Sequence, residues 1–178
     1  MIGYGGEVVF EIIFERKECF YIMNMPVDIR KATIQDLEEI VRLRLELFKE
    51  LGEVRSEQEE ALVITATKEY LEEALTNNEF ISYLALLNDH VISVSGMVLF
   101  KRPPYLENLK GLEAYILNMY TIPQYRGKGI ARSLLEKLIE ECKKTGVRRI
   151  WLHASDDGKP LYTKMGFTFH HGEMELFI

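Results

Sequence analysis

One stretch of the chain carries residue types suited to binding a phosphate. Asn118-Met119-Tyr120-Thr121-Ile122-Pro123-Gln124-Tyr125-Arg126-Gly127-Lys128-Gly129-Ile130-Ala131 reads as a strand, a Gly-x-Gly turn and a helix start. The first amides of a helix have no intrahelical partner, and the helix dipole is positive there. Glycines let an anion approach such a turn closely. Two familiar phosphate loops are excluded by spacing. A Walker loop needs Ser or Thr after its lysine, but Lys128 is followed by Gly129. A dinucleotide fingerprint needs Gly or Ala where Arg132 stands, and no βαβ unit opens the chain. Metal chemistry finds no support: His170 and His171 are adjacent and would point to opposite faces of an extended segment. The two cysteines, Cys19 and Cys142, make neither a disulfide framework nor a metal quartet.

The elements that must position this turn follow from hydrophobic periodicity. Asp28–Thr33 alternates as a strand, and Thr33-x-x-Asp36 resembles a capping box. Leu37, Ile40, Val41, Leu45, Phe48 and Leu51 then recur at helical spacing until Gly52. Ser56-x-x-Glu59 opens a second helix to about Leu75, and Asn77-Asn78 is a turn. Two strand-like runs, Phe80–Leu87 and Val91–Phe100, flank a hairpin signal at Asn88-Asp89-His90. A loop with Pro103-Pro104 leads to a strand over Glu113–Ile122. After the glycine turn, Leu134, Leu135, Leu138, Ile139 and Cys142 share one face of a helix ending near Thr145-Gly146. Arg149–Ala154 reads as a buried strand, Lys159–Met165 as a short helix, and Gly166–Ile178 as extended, turning about His171-Gly172. This order predicts an α/β (α+β mixed) fold. Its central sheet is mixed, mostly antiparallel and twisted, of about six or seven strands with helices on both faces.

Composition bounds the partners. The 178 residues suit one domain. With 28 acids against 22 bases the net charge is −6, which disfavours nonspecific nucleic-acid binding. The apolar runs are shorter than the roughly 20 residues a membrane span needs. These features predict a cytoplasmic protein with neither nucleic-acid nor membrane partners. Residues 1–26 form an N-terminal extension for which two readings stay open. Glu7–Glu15 is rich in Val, Ile and Phe and reads as an extra strand. Alternatively, the segment before Met23 or Met25 is not native, because Glu15-Arg16-Lys17-Glu18 can be encoded by a purine-rich run resembling a bacterial ribosome-binding site. The functional domain is expected over 27–178.

Two motifs together carry a family resemblance. Gln124-x-x-Gly127-x-Gly129 with its helix resembles the acyl-CoA pyrophosphate loop of the GNAT superfamily of N-acetyltransferases. Leu161-Tyr162-Thr163-Lys164-Met165-Gly166-Phe167 resembles that superfamily's L-Y-x-K-x-G-F segment, in the expected order and at the expected distance. The resemblance runs from about Val27 to the end and implies a GNAT-like fold. It further implies that the amides of Arg126, Gly127, Lys128, Gly129, Ile130 and Ala131, after Gln124, cradle the CoA pyrophosphate. The backbone of Met119, Tyr120 and Thr121 would pair with pantetheine and polarise the thioester carbonyl. Tyr162 matches the tyrosine that protonates the departing thiolate, and Glu113 matches a general-base glutamate of some members. His153, in the strand bordering the slot, is the other candidate base. Ser155 stands where many members carry Asn, which puts a contact there in doubt. Lys143, Lys144, Arg148 and Arg149 either form a solvated helix end or reach the 3′-phosphate of CoA.

The implied function is direct acetyl transfer from acetyl-CoA, without a metal, to a primary amine of a small molecule. The acceptor site is expected between the first two helices and the 101–112 loop. The acids of residues 35–60 would suit a polyamine, an aminoglycoside or an amino-acid-like acceptor, but also suit the polar faces of two helices. Two rivals stand beside this reading: a non-catalytic acyl-CoA-binding sensor or interaction module, and a peptide or protein N-terminal acetyltransferase. The final segment offers an edge for a homodimer.

Overall fold

The computed structural model describes residues 26–170 and 174–177. The proposed strand at Glu7–Glu15, Cys19 and the turn at His171-Gly172 lie outside them. Five strands form one sheet in sequential order: β1 (Asp28–Lys31), β2 (Phe80–Leu87), β3 (His90–Lys101), β4 (Leu112–Thr121) and β5 (Arg149–Trp151). The first four pair antiparallel, and β5 pairs parallel to β4. The mixed, mostly antiparallel sheet is therefore as expected, with fewer strands among the described residues. Residues 166–170 and 174–177 carry no strand, and Phe169, Met174, Leu176 and Phe177 are exposed.

Helices cover both faces, because successive strand residues point to opposite sides. On one face α3 (Ile130–Thr145) buries Leu134, Leu135 and Leu138 against Ile81, Tyr83, Ala85 and Met97. On the other, α1 (Leu37–Leu51) buries Ile40, Val41 and Leu43 against Leu84, Val91 and Val94. Helix α2 (Glu57–Thr76) lies on the same face but fully buries only Leu71 and Ala74. Its N-cap Ser56 accepts from the Glu59 amide, as the sequence signal implies. The short helix α4 (Lys159–Lys164) follows β5.

Two departures shape the middle of the sheet. The pairing of β3 with β4 slips between Val94 and Gly96, where Asn118 takes a left-handed φ of 56°. An extra residue at a bulge inverts the alternation beyond it. Ile116 accordingly packs on the α3 face, while Tyr120, four residues on, packs on the α1 face. The second departure is the brevity of β5. The sequence suggests a strand over Arg149–Ala154, but the ladder with β4 ends at the pair Tyr115 and Trp151. Beyond it, β4 passes through its bulge while the segment after Trp151 leaves the sheet, so the two separate.

Candidate active site

The separation leaves an open edge on β4 from Ile116 to Thr121, facing residues 152–155. The Ile122 amide bonds Ile92, and the Ser93 hydroxyl bonds the Tyr120 carbonyl, so Tyr120 turns its backbone toward β3. By alternation, Met119 and Thr121 face the open edge. The Thr121 carbonyl already accepts from Arg126 Nε at 2.8 Å. Of the three residues expected to meet pantetheine, Met119 and Thr121 therefore present backbone to the slot, and Tyr120 does not.

The glycine turn lies at the end of this edge. Gly127 and Gly129 have φ of 75° and 79°, a conformation that other L-residues adopt at a cost. A Cβ at either position would meet nothing within 4 Å, so this side of the turn is open. Among the described residues, no hydrogen-bond acceptor serves the amides of Gly127, Lys128 and Gly129. Ile130 and Ala131 open α3, whose dipole adds to this donor set. These features fit a pyrophosphate.

Arg126 departs from the expected cradle. Its amide donates to Pro123, and its guanidinium makes a bidentate pair with Glu50 of α1 at 2.8 and 2.6 Å. Glu50 and Arg126 reinforce each other's charged forms, lowering the one pKa and raising the other. Arg126 thus ties α1 to the turn. The exposed Gln124 stands in a short 3-10 turn over Pro123–Tyr125, and the Lys128 ammonium lies 5.4 Å from the Tyr125 ring centre. The basic residues near the end of α3 do not reach this site. A helix of 16 residues carries its C-terminus about 24 Å from its start. Of the two readings of these residues the solvated helix end fits better: Lys144 pairs with Glu141 at 2.8 Å, and Arg149 approaches Glu113 at 3.5 Å.

Tyr162 projects from α4, half-buried, with its ring edge-on to Phe167 at 5.8 Å. A Cβ at Gly158 would stand 3.0 Å from its ring, so the absence of a side chain there makes room for the tyrosine. Burial, with a smaller contribution from nearby Tyr115, pushes its pKa up to about 12. Such a phenol is fully protonated at neutral pH. Among the described residues its hydroxyl has no hydrogen-bond partner.

Tyr115 lies on the same strand as the bulge, and its hydroxyl is 2.8 Å from His153 Nδ1. Glu113, two residues upstream, points to the same side but is enclosed. It is 0% exposed; Oε1 accepts from Tyr105 at 2.8 Å, and Oε2 lies 3.5 Å from Arg102 and from Arg149. It stands roughly 16 Å from Asn118 along the strand.

Two cavities flank β4. One, of about 320 Å³, is lined by Arg102, Tyr105, Glu107, Arg148 and Arg149, at the strand end remote from the glycine turn. The 102–111 loop covers this cavity. The other, of about 310 Å³, lies between α1, α2 and the bulge and includes Arg44, Phe48, Tyr70 and Asn118 in its wall. The first two helices bound the cavity beside the bulge, and the loop bounds the other. The sequence analysis singled out neither Arg44 nor, beyond its place in the phosphate-loop segment, Asn118. An asparagine inside an apolar strand run was the available signal, since Asn is depleted in strands and tolerates a left-handed backbone.

A glycine turn with unserved amides at a helix start lies beside an opened strand edge, and a half-buried tyrosine packs on the same side of the sheet as Met119. The model of the acetyltransferase (GNAT) family matches residues 38–167, and the chain belongs to that family. Among solved structures it is similar to a predicted acetyltransferase from Clostridium acetobutylicum crystallised with acetyl-CoA. That protein is 30% identical, with 85% of this chain and 96% of that one covered at a TM-score of 0.79. A GCN5-related N-acetyltransferase from Ralstonia eutropha is 25% identical, with 85% and 99% covered at a TM-score of 0.77. A [Ribosomal protein bS18]-alanine N-acetyltransferase of Haemophilus influenzae is 40% identical over 57 residues, 31% of this chain and 39% of the relative. A glucosamine 6-phosphate N-acetyltransferase of Trypanosoma brucei brucei is 32% identical over 62 residues, 35% and 42% respectively. The chain thus spans about two fifths of the length of these curated relatives. Among the described residues no helix is long and apolar enough to cross a membrane, and no cluster of His, Cys, Asp and Glu is suited to a metal.

Proposed function

We propose that this chain moves an acetyl group from acetyl-CoA directly to a primary amine of a small molecule. The observation that carries the reading is the alignment of three features: the free amides of the glycine turn, the open edge at Met119 and Thr121, and the protonated phenol of Tyr162. The turn holds the pyrophosphate. The edge binds pantetheine, with one backbone amide donating to the thioester oxygen as negative charge develops. Tyr162 gives its proton to the departing thiolate and is reprotonated by the second proton, which the nitrogen sheds as the amide forms. The acceptor amine loses its proton to Tyr115, whose own hydroxyl proton passes to His153 Nδ1. Glu113 is a weaker candidate for that role, since its oxygens are engaged by Tyr105 and two arginines and it lies far from the bulge. A cytoplasmic setting accords with this reading. The Cys142 thiol, pushed up to about 11 by burial, supplies no nucleophile for an acetyl-enzyme.

Two results test the reading. Acetyl-CoA at about 100 times its dissociation constant should stabilise the protein by roughly 2.7 kcal/mol. That raises the melting temperature by about 5–10 °C for this size, while ATP should not. No shift with millimolar acetyl-CoA would remove the cofactor assignment. Separately, His153→Gln should lower turnover by about 10²–10⁴-fold, the usual worth of a positioned base, whereas Glu113→Gln should leave it within a few-fold of wild type. A loss of that size in Glu113→Gln with turnover kept in His153→Gln would transfer the base role to Glu113.

A further inference from the structure

The cavity beside the bulge contains two polar side chains, Arg44 and Asn118, that make neither an ion pair nor a hydrogen bond among the described residues. Arg44, half-buried on α1, has no carboxylate within 4.0 Å among the described residues; its guanidinium lies 4.4 Å from the Phe48 ring centre. Burial lowers its pKa, and Glu53 opposes this only from beyond ion-pair distance. Asn118 is 4% exposed, and neither its Oδ1 nor its Nδ2 finds a hydrogen bond. Both residues line the cavity of about 310 Å³, whose other walls are mostly apolar, with Val63, Tyr70, Phe80 and Leu117 among them. Buried polar groups ordinarily find partners, and desolvated charge is costly when unpaired. Among the described residues, the wall of this cavity carries no acid. Acids of α1 and α2 that seemed suited to a polycation are engaged elsewhere: Glu38 with Lys68, Glu39 with Arg42, Glu50 with Arg126 and Glu60 with Lys49.

Resting on the acetyl-transfer reading, we propose that this cavity selects an amine that also bears a carboxylate on an apolar body, the chemistry of a free hydrophobic amino acid. The Arg44 guanidinium is the counter-ion of the carboxylate, and Asn118 Nδ2 donates a second hydrogen bond. Such charge-assisted bonds are strong in a site shielded from water. The apolar body fills the space between Phe48, Tyr70 and Phe80. One cation suits a monoanion better than a phosphate, and a polycation would meet Arg44 with like charge.

The test compares acetylation of phenylalanine, phenylalaninamide, phenethylamine, O-phosphoethanolamine and spermidine by release of CoA at saturating acetyl-CoA. Binding of phenylalanine to the CoA-loaded protein is measured in parallel by calorimetry. Phenylalanine should exceed phenethylamine and phenylalaninamide by roughly 10–100-fold in kcat/KM, the worth of hydrogen bonds to a charged group. Arg44→Gln and, independently, Asn118→Asp should shrink that ratio and weaken phenylalanine binding, while the acetyl-CoA thermal shift persists as evidence of folding. Equal or faster acetylation of amines without a carboxylate would overturn the proposal and leave acetyl transfer intact, as would preference for the phosphate-bearing amine. A ratio unchanged in Arg44→Gln would also overturn it. If no amine turned over, acetyl transfer would fall. Phenylalanine binding that depends on Arg44 would then still support the carboxylate site, and absence of such binding would overturn it.

Discussion

Tyr162→Phe is expected to lower turnover by about 10²–10⁴-fold, the usual worth of a positioned general acid. The substitution removes one hydroxyl and keeps the ring, so the edge-on contact with Phe167 and the fit over Gly158 survive. Melting temperature and the shift caused by acetyl-CoA should therefore change little, while kcat falls. The sign of the pH dependence follows from the raised pKa of about 12. The acid form is the active one, so deprotonation of Tyr162 should limit the wild-type rate only as pH rises toward that value. An alkaline fall-off below about pH 10 would have to come from another group. Full turnover in Tyr162→Phe would take the tyrosine out of the mechanism.

The second large effect is structural. Leu134 and Leu138 are 0% exposed on the face of α3 that meets the sheet. Leu134→Ala should cost about 2–5 kcal/mol, combining lost transfer energy with the cavity left behind. For a chain of this size that lowers the melting temperature by roughly 5–20 °C. The consequence reaches the site, because α3 carries the glycine turn at its N-terminus. Saturating acetyl-CoA should restore part of the loss by mass action. A melting point within about 1 °C of wild type would mean that α3 can repack over the vacancy.

Much of this molecule was legible in the sequence because the signals are local. Thr33 opens a 3-10 turn over Ile34–Asp36 that leads into α1, Ser56 caps α2, and α3 shows its buried stripe as Leu134, Leu135, Leu138 and Cys142. Asn88 and Asp89 take φ of 49° and 63° in the two-residue hairpin turn that their types suggest. The glycine turn and the Tyr162 segment were likewise visible as motifs. Phe48 shows where such reading stops: its helical spacing fits a core position, yet it borders a cavity, because α2 does not close down on α1 there.

Which groups act together was decided by tertiary structure. Arg126 and Arg44 are both arginines near apolar neighbours in the sequence. Only folding brings Glu50, 76 residues away, onto Arg126 and leaves Arg44 without such a partner among the described residues. The bulge at Asn118 depends on the register of β3 against β4, and it inverts which side each following residue faces. Glu113 lies between Arg102 and Arg149 because β4 pairs with β5 only over its first residues. Caps, turns and periodicity are set by neighbours a few residues apart, so the chain declares them alone. Ion pairing, burial and the shape of a cavity arise between segments distant in sequence, and their energies exist only once those segments meet.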